Sequence, residues 1–354
     1  MNSILLVLSC NLHWAPYYTR YENILKELGL KYDIVIWNRE RLKESTYGRK
    51  IEYSVKDETN NGSMSKILKF LRYSRFVKKQ IKENKYEKIV FVGTYAGIPA
   101  FISTYLKKAY KRKYWIDLRD ITYEKYSFFY NLEAKAIKNS HKTVISSKGY
   151  LPYLPQFKYG FIHNIDPTME EILTKYKKIE CDKIRISYIG NLSYWDSCRE
   201  MIDVFANDVR YIMNFVGPNY EVIEEYCKAR KIFNVTFHGR FQREETVDFY
   251  NNTDIIYNIY GNDIVNVKTA LSNKLYYAMR FKLPILVSPN TYMEKITRKY
   301  NIGISFENER AFADKLYKWY IDFESQPQHF EDAWKDVLKE DKKAIEDFKK
   351  FIVK

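Results

Sequence analysis

The sequence predicts an α/β fold built from two doubly wound parallel-sheet domains. Three observations carry the prediction. Short β-branched runs alternate with amphipathic stretches in two successive series, the pattern of parallel strands covered by helices. Gly190, Gly217 and Gly239 each fall where a strand of the second series ends, and a glycine there lets a ligand approach the backbone. The net charge of +15 lies in one half: residues 1–165 carry 30 Lys and Arg against 14 Asp and Glu, and the remainder 29 against 30. One basic and one neutral half imply two domains with different partners.

The first series places strands at 4–9, 32–37, 88–93, 114–117, 143–146 and 160–163. Its opening run, Ile4-Leu-Leu-Val-Leu8, is too short to span a bilayer and lacks the basic flank of a signal peptide, so it reads as a buried strand. The second series places strands at 184–189, 211–216, 234–237, 255–259 and 284–287. A helical tail follows, with Phe330, Trp334, Val337, Leu338, Ile345, Phe348 and Ile352 at helical spacing, and this C-terminal helix is expected to pack across both domains. The join is expected between Asp166 and Asp182, at the polar run Lys175-Tyr-Lys-Lys178, giving domains of 1–165 and 166–354.

Composition removes several classes of function. Cys10, Cys181, Cys198 and Cys227 form no CxxC pair or zinc-ligand spacing and read as reduced cytoplasmic thiols. No GxGxxG follows the first strand, which argues against a nicotinamide dehydrogenase. The neutral second half argues against a nucleic-acid binder, which needs basic residues interleaved with stacking aromatics along one groove. The 33 tyrosines are assigned to core packing and base composition.

Residues 65–82 contain seven basic residues and no acidic ones. Ile67, Phe70, Leu71, Val77 and Ile81 share a helical face, and Lys66, Lys69, Arg72, Arg75, Lys78 and Lys79 line the rest. Such a helix suits an anionic membrane surface, at roughly 1 kcal/mol per basic residue. Phe76, off the apolar face, is expected to be free to insert. The alternative is a domain helix with a solvated basic side; the charge asymmetry favours the membrane.

The most informative segment runs from Leu271 to Val287. Ser272 reads as an N-cap, Leu275, Ala278 and Met279 share one helical face, and Pro284 opens the strand Ile285-Leu286-Val287. Asn273 and Lys274 therefore sit in a helix's first turn, where free N–H groups and the helix dipole favour an anion such as a diphosphate. A lysine is unfavourable there unless it serves a ligand.

Taken with Gly190-Asn191, Gly217-Pro218 and His238-Gly-Arg240, this ordered set resembles the nucleotide-sugar domain of GT-B glycosyltransferases. The likeness is to glycosyltransferase family 4 and its relatives in bacterial surface-polysaccharide synthesis, over nearly the whole chain. It implies two Rossmann-like domains, the first basic, membrane-facing and acceptor-binding, the second holding a UDP- or GDP-type sugar nucleotide as co-substrate. The implied reaction transfers a hexosyl or related sugar, with retention, to a lipid-linked or growing saccharide at the inner face of the plasma membrane. Neither a cofactor nor a metal is expected, because no Asp-x-Asp is placed to bridge one.

The resemblance assigns Gly190, Asn191, Gly217, Ser272, Asn273 and Lys274 to the donor, and Arg240 joins Lys274 as a candidate for the departing phosphates. Tyr114-Trp-Ile-Asp-Leu-Arg-Asp120 resembles the strand facing the acceptor, with Val144-Ile-Ser-Ser147 and His163-Asn-Ile-Asp166 as later strand ends. Asp120 is the candidate base, with Arg119 expected to keep it ionised; a helix cap or an Arg119 partner is the alternative. His13 is a second catalytic candidate, its alternative a packed loop histidine, and Asn11 and Arg119 are placed on the acceptor side. The family's two glutamates seven residues apart are replaced by Ala270 and Tyr277, so Glu294 is the nearest downstream candidate for the donor ribose. That loss motivates a second reading, a catalytically inactive GT-B-like partner or regulator protein bound to the membrane.

Overall fold

The computed structural model describes residues 3–55, 63–93, 97–121, 123–166, 168–323 and 326–354. The chain divides into two compact units, Met1–Pro167 with Lys339–Lys354, and Thr168–Leu338.

The first unit holds a seven-stranded parallel sheet. Its strands are β1 (Ile4–Val7), β2 (Tyr32–Trp37), β3 (Arg49–Tyr53), β4 (Lys88–Gly93), β5 (Tyr114–Leu118), β6 (Lys142–Ile145) and β7 (Gly160–Phe161), in the order β3-β2-β1-β4-β5-β6-β7. The second unit holds β8 (Ile184–Ile189), β9 (Tyr211–Val216), β10 (Val235–His238), β11 (Ile255–Asn258), β12 (Ile285–Val287) and β13 (Gly303–Ser305), all parallel, in the order β10-β9-β8-β11-β12-β13. Central strands such as β1, β2, β5 and β8 are buried at every position, as expected where helices cover both faces. In each sheet the order reverses beside the first strand, between β1 and β4 and between β8 and β11. Ligands of open α/β sheets bind at the strand carboxyl ends of such switch points.

Two edge strands escape the sequence pattern. The segment Arg49-Lys-Ile-Glu-Tyr53 is polar and half-exposed, so it shows no apolar run. It pairs with β2 because Arg49 faces the buried Asp33, donating from Nε to Oδ1 at 3.0 Å, while Tyr86 Oη donates to Oδ2 at 2.6 Å. In β13, a Cβ on Gly303 would lie 2.0 Å from the Ile285 carbonyl oxygen, so close strand packing selects glycine over β-forming residues.

The basic helix forms as Ser63–Asn84. Phe70, Tyr73, Val77 and Ile81 are buried, with Phe70 and Tyr73 packed on Trp37 at 5.3 and 5.2 Å. This corrects two expectations. Phe70 belongs to the core, and Phe76 is half-buried against Tyr53 at 5.1 Å, filling the edge of β3 rather than standing free to insert. Arg72, Arg75 and Lys79 are exposed, Lys69 is half-buried, and Lys78 lies 5.3 Å from the Tyr105 ring centroid. The Lys66 side chain lies outside the described residues. No helix among the described residues is long and apolar enough to cross a membrane.

The terminal helix Gln328–Val353 contributes residues 339 onward to the first unit. Phe348 is fully buried there, edge-on to Tyr21 at 4.7 Å and Trp115 at 5.3 Å. Asp341 accepts from Arg20 Nη1 at 2.7 Å and from the His163 N–H at 2.9 Å, and Glu340 and Asp347 pair with Lys148 and Lys142. Phe348→Ala is expected to destabilise this unit by about 3–5 kcal/mol, the usual cost of deleting a core aromatic. Urea unfolding of the full chain checks it, and a loss below about 1 kcal/mol would place the helix outside the core.

Candidate functional site

In the second unit the carboxyl ends of β8 and β9 are joined closely. Gly217 has φ +142°, and a Cβ there would lie 1.9 Å from the Gly190 carbonyl oxygen, so no other residue fits without moving the backbone. Gly190 has φ +135° and faces open space, which leaves its peptide approachable. Asn191 is exposed; its Oδ1 accepts from Asn219 Nδ2 at 2.9 Å, and its carbonyl accepts from Tyr188 Oη at 2.8 Å. Beyond β11, the N–H groups of Tyr260 and Gly261 both donate to Ser288 Oγ at 2.9 Å, which ties the ends of β11 and β12 together.

The helix Asn273–Phe281 begins at this edge. Ser272 is its N-cap, accepting from the Lys274 N–H at 3.3 Å, and Asn273 is exposed. Lys274 is buried, 6% exposed, and reaches inward. Its Nζ donates to Tyr260 Oη at 2.7 Å and lies 3.7, 5.0 and 6.0 Å from the ring centroids of Tyr188, Tyr260 and Tyr257. Burial pulls its pKa down to about 7, with the nearby Cys198 opposing only in part. A lysine so enclosed, with aromatic faces and a hydroxyl in place of a carboxylate, is poised for an anionic partner.

Other donor-side candidates fare differently. Arg240 is exposed just beyond β10 and has no ion-pair partner among the described residues. The Glu294 carboxylate is spent locally: Oε2 accepts from the Asn290 N–H at 2.6 Å, and Oε1 accepts from Ser305 Oγ at 2.7 Å and pairs with Arg298 at 3.1 Å. It closes the start of the helix Tyr292–Tyr300, with Thr291 Oγ1 accepting from the Glu294 N–H at 3.1 Å, which leaves it ill-suited to grip a ribose. Tyr277 is buried and stacked on Tyr250 at 4.7 Å, a core residue rather than a hydroxyl offered to ligand. Sequence reasoning set the tyrosines aside and so missed Tyr188, Tyr257 and Tyr260. Their signal was position, each within two residues of the carboxyl end of β8 or β11.

In the first unit, Asp117, Arg119 and Asp120 come off the end of β5. Arg119 is buried and turns to Asp117, Nη2 to Oδ2 at 2.7 Å, where Tyr21 Oη also donates at 2.8 Å. Its guanidinium lies 4.5 Å from the Tyr17 ring centroid. The expectation that Arg119 keeps Asp120 ionised is corrected: burial raises the Asp120 pKa to about 6, and the Arg119 charge offsets this only in part. A carboxylate titrating there is well matched to accept a proton near neutrality.

Asn11 is fully buried and fully used. Its Nδ2 donates to Asn38 Oδ1 at 2.8 Å and Glu44 Oε2 at 3.1 Å, and its Oδ1 accepts from the N–H groups of Arg39 and Glu40. It locks the turns after β1 and β2 and has no atom left for an acceptor. His13 is exposed and held between Glu44, 2.8 Å from Nδ1, and Glu40, 3.1 Å from Nε2. Among the described residues no group of three or more His, Cys, Asp or Glu is placed to hold a metal ion.

No protein-family model and no curated protein matches the sequence. Solved structures do match over nearly the full length. Sucrose-phosphate synthase from Thermosynechococcus elongatus superposes with a TM-score of 0.68 at 13% identity, covering 96% of this chain and 94% of that one. Anabaena HepE in complex with UDP superposes with a TM-score of 0.66 at 12% identity, covering 98% and 99%. WaaG, a glycosyltransferase involved in lipopolysaccharide biosynthesis, gives 0.58 at 13% identity, covering 94% and 95%. The chain has the GT-B fold. In this GT-B chain the strand carboxyl ends of the two units carry different chemistry: a caged lysine beside a capped helix in the second unit, and a half-buried acid just past β5 in the first.

Proposed function

We propose that this chain is a glycosyltransferase that moves a sugar from a UDP- or GDP-type nucleotide sugar to a lipid-linked or growing saccharide acceptor, at the inner face of the plasma membrane. The buried Lys274 side chain, which has no carboxylate partner among the described residues, carries the reading. Together with the positive end of the helix that starts after Ser272 and the open approach at Gly190, it suits the charge that develops on a departing nucleoside diphosphate. Arg240 supplies a second cation.

In this reading Asp120 takes the acceptor hydroxyl's proton, or orients that hydroxyl, and the reaction needs no metal. The charge of residues 1–165 supports an anionic acceptor or membrane surface. HepE holds UDP, and WaaG acts in lipopolysaccharide biosynthesis, which supports the donor and acceptor classes. The burial of Tyr277, where the resemblance places a carboxylate, favours the second reading of a non-catalytic partner that keeps nucleotide binding.

Thermal unfolding in the presence of UDP and GDP separates these. One of them at 100-fold over its Kd is expected to stabilise the chain by about 2.7 kcal/mol. Lys274→Ala is expected to weaken that binding about 10- to 100-fold, the loss of a charge-assisted contact. Absence of a shift with either nucleotide refutes the donor site. Binding of the sugar nucleotides with no release of nucleoside diphosphate, with or without saccharide acceptors, favours the non-catalytic reading.

A further inference from the structure

Among the described residues, the Lys274 environment has no group of opposite charge to balance an ammonium. Tyr188 faces it from β8, Tyr257 from β11 and Tyr260 from just beyond; Cys198 faces it from the helix Trp195–Phe205, and Tyr194 stacks on Tyr260 at 4.4 Å. Cys198 is itself tied to Tyr257, whose Oη lies 3.6 Å from Sγ. Burial pushes the Cys198 thiol up to about 11 and the Tyr188, Tyr257 and Tyr260 hydroxyls above their ordinary value, so these groups stay neutral around pH 8 and Lys274 alone titrates.

We infer that nucleoside diphosphate binding is coupled to the uptake of one proton from solvent by the Lys274 amine, so that the buried cage holds a neutral amine at rest and an ammonium when the anion is present. The inference rests on the donor reading above and adds its regulation by pH. The step balances simply: –NH2 gains H+ from the buffer, and the diphosphate supplies the counter-charge that no side chain of the cage provides. The amine's bond to Tyr260 Oη holds it in place until the anion arrives. A lysine paired with a carboxylate would carry its proton throughout and show no such coupling.

Isothermal titration of the full chain with UDP, or with GDP if UDP is silent, in HEPES, Tricine and Tris buffers at pH 8 tests this. The expected result is an apparent enthalpy that varies with the buffer's ionisation enthalpy, with a slope equivalent to nearly one proton taken up. The Kd is expected to rise about tenfold between pH 8 and pH 9, where the nucleotide's last phosphate ionisation, with a pKa of about 6, is already complete. Lys274→Arg, which keeps its charge, is expected to bind without uptake; the wild-type buffer series stands alone if that variant does not fold. Measurable binding with the same enthalpy in all three buffers overturns the coupling and leaves the donor site intact. No binding by either nucleotide overturns the donor site itself.

Discussion

Asp120→Asn is expected to lower kcat about 10²- to 10⁴-fold, the range spanned by loss of a positioned general base. The substitution keeps the size of the side chain and removes only its ability to accept a proton. Burial holds the Asp120 carboxyl at about 6, so its working form, the carboxylate, is a minority at pH 5 and dominant at pH 7. At saturating donor, where Lys274 keeps its proton, the wild-type kcat is therefore expected to climb through pH 6 and level off above pH 7, and this acid limb is expected to vanish in Asp120→Asn. A variant that keeps wild-type turnover, or a wild-type profile flat from pH 5 to pH 8, removes Asp120 from the chemistry. His13 offers the contrast. Its ring already lies against Glu40 and Glu44, so His13→Gln is expected to alter the loop far more than the rate.

A gain in stability of about 3 kcal/mol at pH 7 is expected from Glu133→Gln. Glu133 lies on the helix Ser127–Asn139, fully buried, and neither carboxyl oxygen has a hydrogen-bond partner among the described residues. Burial, with a contribution from Glu124, raises its pKa from 4.5 to about 9. Below pH 4.5 both the folded and unfolded chains are protonated and the site costs nothing extra. From pH 4.5 to 9 the unfolded chain releases a proton that the folded chain keeps, and stability falls by about 1.4 kcal/mol per pH unit. Glutamine has no proton to lose, so its advantage is expected to be under about 1 kcal/mol at pH 5 and about 5 kcal/mol at pH 8. Urea unfolding of both proteins at those two pH values measures it; an equal difference at both would show that Glu133 is ionised in the folded chain.

Much of the fold was legible because the buried strands carry their own signal. Runs such as Ile4-Leu-Leu-Val7 and Ile184-Arg-Ile-Ser-Tyr-Ile189 are covered on both faces, which demands β-branched and apolar residues whatever the partner. The edge strands β3 and β13 were illegible for the opposite reason. One rests on an ion pair to a single buried aspartate and the other on the fit of a glycine, and neither leaves a period to read. Phe76 shows the limit of helical periodicity: its angle on the helix said nothing of Tyr53, which comes from a strand the pattern did not contain.

The helix start at Asn273 and Lys274, the N-cap Ser272 and the glycines at Gly190 and Gly217 were determined by sequence alone, since capping and turn chemistry are local. Only the tertiary structure decided what those residues face. It turned Lys274 from the helix surface into a ring of tyrosines, tied Glu294 to its own helix start, and gave Arg119 to Asp117 rather than Asp120. The reason is physical: backbone preferences act over a few residues, whereas burial and the pairing of charge depend on groups that the chain brings together from distant positions.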